Sequence, residues 1–123
     1  MRVTIVSSLL HPSYGGPPAV VRAHADVLRK ECTVNVIGTT TESQQNEAMQ
    51  YHKNPECFTV RPPERWFFSY GLLARLRAVA TITDVFHVHM LWDFPLVAAC
   101  VAAGDGIPVV VSPHGSVIDK WRR

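Results

Sequence analysis

The sequence has little of what marks several large classes of protein. Its three cysteines are an odd number without a Cys-x-x-Cys pair, which argues against a disulfide framework and favours a reducing compartment with buried thiols. No apolar run approaches the ~20 residues of a membrane span. The opening MRVTIV is too short for the apolar part of a signal peptide, so it predicts a strand.

The sequence also has no large excess of positive or negative charge. The net charge is +2 and no run of Lys or Arg is present, so we expect no nucleic-acid partner. The chain lacks G-x-G-x-x-G, and Gly38 and Thr39 stand where an acidic residue would end the second predicted strand, which disfavours a dinucleotide-dependent enzyme. No set of metal ligands lies at a known spacing, so we expect no metal and no cofactor.

The composition is that of a globular domain, with 47% apolar and 18% charged residues in 123. Strand and helix signals alternate along it. Apolar β-branched runs predict strands at 3–6, 33–37, 58–60, 84–89 and 107–111, and helical spacing predicts helices at 17–30, 66–82 and 94–103. The polar stretch 39–54 has no period and predicts a long loop.

This alternation indicates an α/β fold: a Rossmann-like, doubly wound, mainly parallel sheet of about five strands in a three-layer α/β/α arrangement. The usual strand order makes the first and fourth strands neighbours at the switch point. The loops after strands one, four and five then share one edge of the sheet, the edge at which such folds bind ligands.

The loop after strand one carries Gly15 and Gly16 before two prolines. Glycines let the backbone approach a ligand closely, and a helix N-terminus offers N–H donors, although prolines remove some of them. The alternative is a tight turn that needs a positive φ. The position at a strand end favours ligand binding.

The loop after strand four follows two histidines that share a strand face. We expect His87 to be a packing residue, whereas His89 either reaches the cleft or packs. Trp92 either offers its indole to a sugar or lipid head group or packs under the next helix, and Asp93 beside it offers an acceptor.

In the loop after strand five, Pro113 and Gly115 flank His114. A proline before and a glycine after indicate a sharp turn that can aim the imidazole off the sheet edge. There it can donate to or accept from a hydroxyl, so we favour a functional histidine over a structural turn.

A mixed basic and aromatic segment surrounds the start of the second predicted helix. It is either a membrane-interface patch or, as we favour, a helix packed on the sheet with its arginines in water. Its members are Arg61, Arg65, Trp66, Phe67, Phe68, Arg75 and Arg77.

Three segments, VSSLLHPSYGGPPAVV, DVFHVHMLWDFP and IPVVVSPHGSV, together resemble the amino-terminal domain of family 4 retaining glycosyltransferases, which have the GT-B architecture. The resemblance extends from Arg2 to Trp121. It implies a Rossmann-like domain that mainly binds the acceptor, a glycan or a lipid-linked sugar. A second domain would hold the nucleotide-sugar, which is a substrate rather than a cofactor.

The resemblance also implies roles for residues. Gly15 and Gly16 would approach the donor phosphates, and His114 would contact the transferred sugar as the catalytic candidate. With the strand-end argument, His89, Trp92 and Asp93 are the expected acceptor or sugar contacts. The implied reaction retains the anomeric configuration without a metal. Many members build polysaccharides or glycolipids at the cytoplasmic face of a membrane, so we expect a cytoplasmic protein in peripheral contact with that face.

The chain departs from the family pattern in two ways. Residues 1–123 include no nucleotide-sugar domain and end in what resembles the start of a helix, so we expect an incomplete amino-terminal domain that is inactive alone. Met90 stands where relatives often carry glycine, which puts the shape of that loop in doubt.

Strand five would become an exposed edge if the sheet ends there. We expect such an edge to self-associate or to be covered by the C-terminal residues. The alternative function, from another class, is a non-catalytic α/β module that binds a glycan or a partner protein.

Overall fold

The computed structural model describes residues 1–62 and 64–114, which form one five-stranded sheet with helices on both faces. All paired strands are parallel, and their order across the sheet is β3-β2-β1-β4-β5. The strands are β1 (Arg2–Ser7), β2 (Thr33–Thr40), β3 (Glu56–Thr59), β4 (Val85–His89) and β5 (Val109–Ser112).

Four α-helices connect the strands. They are α1 (Gly16–Leu28), α2 (Gln45–Tyr51), α3 (Tyr70–Ala80) and α4 (Phe94–Ala103). Short 3₁₀ turns lie at Pro12–Tyr14, Glu42–Gln44 and Glu64–Trp66. Within the described ranges, no helix is long and apolar enough to cross a membrane.

Two apolar cores, one on each face of the sheet, hold the three layers together. On one face Ile5 of β1 packs with Val21 and Ala25, which lie four residues apart on α1 and so share one side of that helix. On the other face Val88 of β4 packs with Leu72 of α3 and Ala99 of α4. Period-two alternation along β1 supplies both cores, because both faces of a parallel sheet are covered, whereas the buried apolar residues of β4 belong to the second core alone.

The predicted fold class is confirmed, including the switch point. The chain winds outward from β1 to β3 on one side, and α3 then returns it to β4, which lies against β1. Ser7 at the end of β1 is aligned with His89 at the end of β4. The sheet edge that follows these residues therefore has the geometry expected of a ligand-binding edge.

The predicted long loop at 39–54 is wrong. The strand β2 continues to Thr40, and α2 follows after a turn in which Thr41 and Gln44 form a capping box. The helix has a single buried side chain, Ala48. One apolar anchor in seven residues gives too weak a periodicity for sequence to reveal, and the capping box caps the 3₁₀ turn that leads into the helix.

Other predicted boundaries differ by a few residues. The helix predicted at 66–82 is α3 at Tyr70–Ala80, preceded by a 3₁₀ turn and by a bridge between Arg61 and Phe68. The strand predicted at 58–60 lies at Glu56–Thr59. The helix at 94–103 is confirmed, since Asp93 and Gly104 bound it as caps.

The three cysteines are free thiols, in agreement with the absence of a disulfide framework. The expectation that all are buried is wrong, because Cys100 is exposed on α4. Burial raises the pKa of Cys57 to about 11, so that thiol stays protonated.

His52 closes the turn after α2. Its Nε2 lies 2.8 Å from the backbone oxygen of Leu10, to which it donates, and its side chain is buried. Burial lowers its pKa, the hydrogen bond opposes that shift, and Arg22 and Arg29 of α1 lower the pKa further while Asp26 raises it. This histidine therefore tethers α2 to the loop after β1 in its neutral form.

At the other side of the sheet, β5 is the last described strand. Val110 and Val111 are exposed on it. The proposal of self-association through this edge stays a prediction, and the covering C-terminal residues invoked for it, with Gly115 and Trp121, lie outside the described residues.

Candidate functional site

The loops after β1, β4 and β5 open at the same edge of the sheet, because the three strands are adjacent and parallel. The end of β4 at His89 is aligned with Ser112 at the end of β5, and Met90 donates its backbone N–H to the Ser112 oxygen at 2.8 Å. The three sequence motifs thus come together at the carboxyl ends of three neighbouring strands.

Positive φ angles are concentrated in these loops. Gly15 has a φ of 77°, Met90 of 87°, Trp92 of 63° and His114 of 51°. For a residue other than glycine such a conformation costs about 1–3 kcal/mol, and it persists only where the surrounding structure imposes it. The loop after β4 therefore keeps a glycine-like backbone at Met90 in spite of the side chain, which resolves the doubt about its shape.

Gly15 and Gly16, at the start of α1, have open space around them. A side chain built at Gly15 or Gly16 would meet nothing within 4 Å, and both residues are exposed. Gly15 satisfies the alternative interpretation, since its φ suits a turn that requires glycine. Pro17 and Pro18 have no N–H, so the helix offers a ligand mainly the Gly16 amide. Approach to donor phosphates stays a prediction.

Four imidazoles meet at this edge and on the sheet face just below it; we refer to His24, His87, His89 and His114 as the histidine cluster. His89 Nδ1 and His114 Nε2 are hydrogen bonded at 2.7 Å, and His87 Nε2 lies 2.7 Å from Ser112 Oγ. The His24 ring, from α1, meets the His87 ring edge-on with centroids 4.6 Å apart. Sequence reasoning missed His24, because a helix 63 positions upstream carries no spacing signal toward β4.

Burial keeps most of this cluster neutral. Burial, together with the neighbouring imidazoles of His87, His114 and His24, lowers the pKa of His89 to about 3. Burial also lowers the pKa of His87 and of His114. Neutral imidazoles each carry one lone pair, and one nitrogen from each of His24, His87 and His89 lies within 4.8 Å of the other two. These three residues could hold a metal ion.

Asp93 and Trp92, adjacent in sequence, have different environments. The Asp93 carboxylate is buried and accepts a hydrogen bond from the Leu96 amide at 3.2 Å as the N-cap of α4. Burial raises its pKa, while the Ser8 side chain and the Leu96 amide oppose the shift. Trp92 is 62% exposed, so its indole faces outward rather than packing under α4. Contacts of Trp92, Asp93 and the buried His89 with an acceptor stay predictions.

A cavity of about 240 Å³ lies at the same edge, on the β1-β2-β3 side. It is lined by side chains rich in hydroxyls: Ser8, Tyr14, Thr40, Thr41, Gln44, Val60, Glu64 and Phe67. Thr40 is buried, and among the described residues its hydroxyl has no hydrogen-bond partner. An unpaired hydroxyl in the wall of a cavity can serve a polar ligand. The polar composition of 39–54 was the only sequence signal for this cavity.

Two aromatic members of the basic segment, Trp66 and Phe68, pack together beside Phe94. Phe68 is half-buried against Phe94, with ring centroids 4.8 Å apart, and Trp66 stacks beside it. Tyr70 remains exposed. Contact of this surface with a membrane stays a prediction.

Comparison with known proteins supports the resemblance drawn from the motifs. The family model described as Glycosyltransferase Family 4 matches residues 14–123, which is most of the chain; it includes the second and third motif segments and the first from Tyr14 onward. No curated protein and no solved structure matches the chain. Since the matched part has the expected Rossmann-like fold, the chain belongs to glycosyltransferase family 4, of which it represents an amino-terminal domain.

Proposed function

We propose that this chain is the acceptor-binding half of a retaining glycosyltransferase, which transfers a sugar from a nucleotide-sugar to a glycan or lipid-linked acceptor. The observation that carries this proposal is the cavity at the carboxyl ends of β1 and β2. Its hydroxyl, amide and carboxylate groups beside the Tyr14 and Phe67 rings suit a sugar, which has polar edges and apolar faces. The unpaired Thr40 hydroxyl offers such a ligand a hydrogen bond.

The donor side of the proposal rests on the neighbouring loops. Tyr14 of the cavity is adjacent to Gly15, and β5 with His114 is three strands away from β2, or about 14 Å across the sheet. A nucleotide-sugar whose phosphates lie near Gly15 and Gly16 could present its sugar between the cavity and His114. His114 would then donate to or accept from a hydroxyl of the transferred sugar. This chemistry requires no cofactor.

The cellular setting is part of the same proposal. A cytoplasmic protein in peripheral contact with the inner face of a membrane would meet both a nucleotide-sugar and a lipid-linked acceptor for polysaccharide synthesis. The nucleotide pocket lies in another domain in this scheme, so residues 1–123 alone should show no turnover with any nucleotide-sugar. Turnover by the isolated chain would contradict the proposal that the nucleotide-sugar binds in another domain.

Acceptor binding can be tested on the chain itself by NMR. Adding neutral mono- and disaccharides should shift the backbone amide signals of the cavity residues, Thr40 and Thr41 among them. Thr40→Val removes the hydroxyl at nearly constant volume and should weaken binding by about 2–10-fold, the equivalent of one hydrogen bond. Thr33→Val, at the exposed opposite end of β2, is the matched control.

Two results would count against the proposal: no saccharide that shifts the cavity signals, or equal affinity in the Thr40 and Thr33 variants. The role of His114 needs the enzyme that includes a nucleotide-sugar domain. There His114→Asn, which tolerates the positive φ, should lower kcat by about 100-fold, as loss of an active-site hydrogen bond does. Activity near wild type would remove His114 from the mechanism.

A further inference from the structure

We propose that His24, His87 and His89 form a binding site for a transition-metal ion, with zinc as the best-suited ion. The site lies on the sheet face below the ligand-binding edge. Its ligands come from α1 and β4, and metal binding there does not require that the chain take part in sugar transfer. Imidazole nitrogen is the ligand that zinc, copper and nickel share, whereas magnesium and calcium need oxygen ligands.

The backbone of α1 and β4 brings the three histidine rings close together. His87 and His89 are two residues apart on β4, so both project toward the side of the sheet that α1 covers, with Ile5 aligned with His87. His24 follows the buried side of α1, next to Ala25. One helix and one central strand therefore converge on one point, on the face of the sheet that α1 covers.

The distances are close to those of a metal site. The ligand nitrogens lie within 4.8 Å of one another. Two nitrogens bound to one tetrahedral zinc at 2.0–2.1 Å are roughly 3.4 Å apart, so the rings would need to close by no more than about 1.4 Å. The His87 and His89 rings stack 19° from parallel, so turning the half-buried His87 ring as well as the His24 ring supplies that movement without moving the backbone.

A second observation points to a ligand at His89. Its side chain is 1% exposed, and in the described part of the chain its Nε2 has no hydrogen-bond partner. If Nδ1 donates to His114, Nε2 is a bare buried lone pair; if Nδ1 accepts, Nε2 is a buried N–H without an acceptor. The metal removes this deficit, because it binds the lone pair in the first of these tautomers.

The outer hydrogen bonds fit the same tautomer. Metal-bound histidines usually donate their second ring N–H to a fixed acceptor, and His89 Nδ1 has such an acceptor in His114 Nε2 at 2.7 Å. Binding at Nδ1 of His87 would likewise leave its 2.7 Å hydrogen bond to Ser112 in place. Metal at His89 would fix His114 with its proton on Nδ1, so the site positions the imidazole at the sheet edge.

The test uses the untagged 123-residue chain, stripped with a chelator and titrated with zinc chloride against a chromophoric competitor. We expect one zinc per chain. His24→Ala should weaken zinc binding by at least 10-fold, since even loss of an outer partner costs 10–100-fold. His11→Ala is the matched control, because His11 caps the turn at Pro12–Tyr14 and pairs with Glu47 outside the cluster.

Titration with cobalt chloride provides a second measurement. Its interpretation does not depend on a sugar-transfer assay. Bound cobalt should show the intense visible absorption of a four-coordinate site, with three imidazole nitrogens and a water molecule as ligands, in wild type and in His11→Ala, and lose it in His24→Ala. Circular dichroism establishes that each variant is folded. Absence of zinc binding by wild type, or equal affinities in the His24 and His11 variants, would overturn the proposal.

Discussion

Substitution of Gly38 by alanine should destabilise the protein far more than an ordinary Gly→Ala change. Gly38 lies in β2, aligned with Ser7 of β1, and is buried in the centre of the sheet. A Cβ there would overlap the Ser7 backbone oxygen and lie 2.8 Å from Leu10 Cδ1. The loop after β1 turns back over β2 at this point, and Thr39 donates its hydroxyl proton to the Ser8 oxygen at 3.1 Å.

The magnitude follows from what must move. Overpacking against side chains costs about 1–3 kcal/mol, because rotamers can adjust. Here the first obstacle is backbone of the central strand β1, whose displacement would disturb its pairing with both β2 and β4. We therefore expect Gly38→Ala to lower the free energy of unfolding by at least about 3 kcal/mol, out of the roughly 5–15 kcal/mol typical of a domain.

Gly106→Ala is the matched control, since its Cβ would meet nothing within 4 Å and Gly106 has no positive φ. It should be neutral or stabilise by up to about 1 kcal/mol through the unfolded chain. Urea unfolding followed by tryptophan fluorescence and circular dichroism gives both values. A difference below about 1 kcal/mol between the two variants would refute the steric argument.

Three further predictions concern single side chains. Asp93→Ala removes the N-cap of α4 and should lower the free energy of unfolding by about 1 kcal/mol, whereas Asp93→Asn keeps an oxygen acceptor and should lower it by less; equal losses in urea unfolding would exclude the cap. His52 has a lowered pKa in the folded protein, so the unfolded chain, with a pKa near 6.5, takes up the proton first. Wild type should thus lose stability relative to His52→Gln as pH falls below 6.5, and a pH-independent difference between their urea midpoints would contradict this. Arg75→Gln breaks an exposed ion pair with Glu56 at 2.6 Å and should change the free energy of unfolding by less than about 1 kcal/mol. A larger loss in thermal melts would show that this pair stabilises the fold more than a solvent-screened surface pair does.

The strand order and the ligand-binding edge could be predicted from the sequence because short apolar β-branched runs identify the strands. The run of β1 is buried on both faces of the sheet, which is typical of a central parallel strand. The edge then follows from the topology of a doubly wound sheet. His89 and His114 were predicted for this edge, and the structure joins them by a hydrogen bond.

What could not be predicted depends on tertiary contacts without a local pattern. The helix α2 is anchored by Ala48 and by the His52 bond to Leu10, neither of which has a periodic signature. His24 joins the histidine cluster only because α1 crosses beside β4. The burial of Asp93 follows from its position as a helix cap, although its place next to an exposed tryptophan had indicated a ligand contact.

The positive φ angles at Met90, Trp92 and His114 limit which sequences this edge can accept. Glycine, asparagine and aspartate adopt such backbone readily, whereas valine, isoleucine and threonine do so only with strain. Substitutions at these positions should therefore be limited first by whether the new residue can adopt a positive φ, and only then by the chemistry of its side chain. In a saturation library, β-branched replacements at these positions would fail for conformational reasons, and asparagine would be the replacement that isolates what each native side chain contributes.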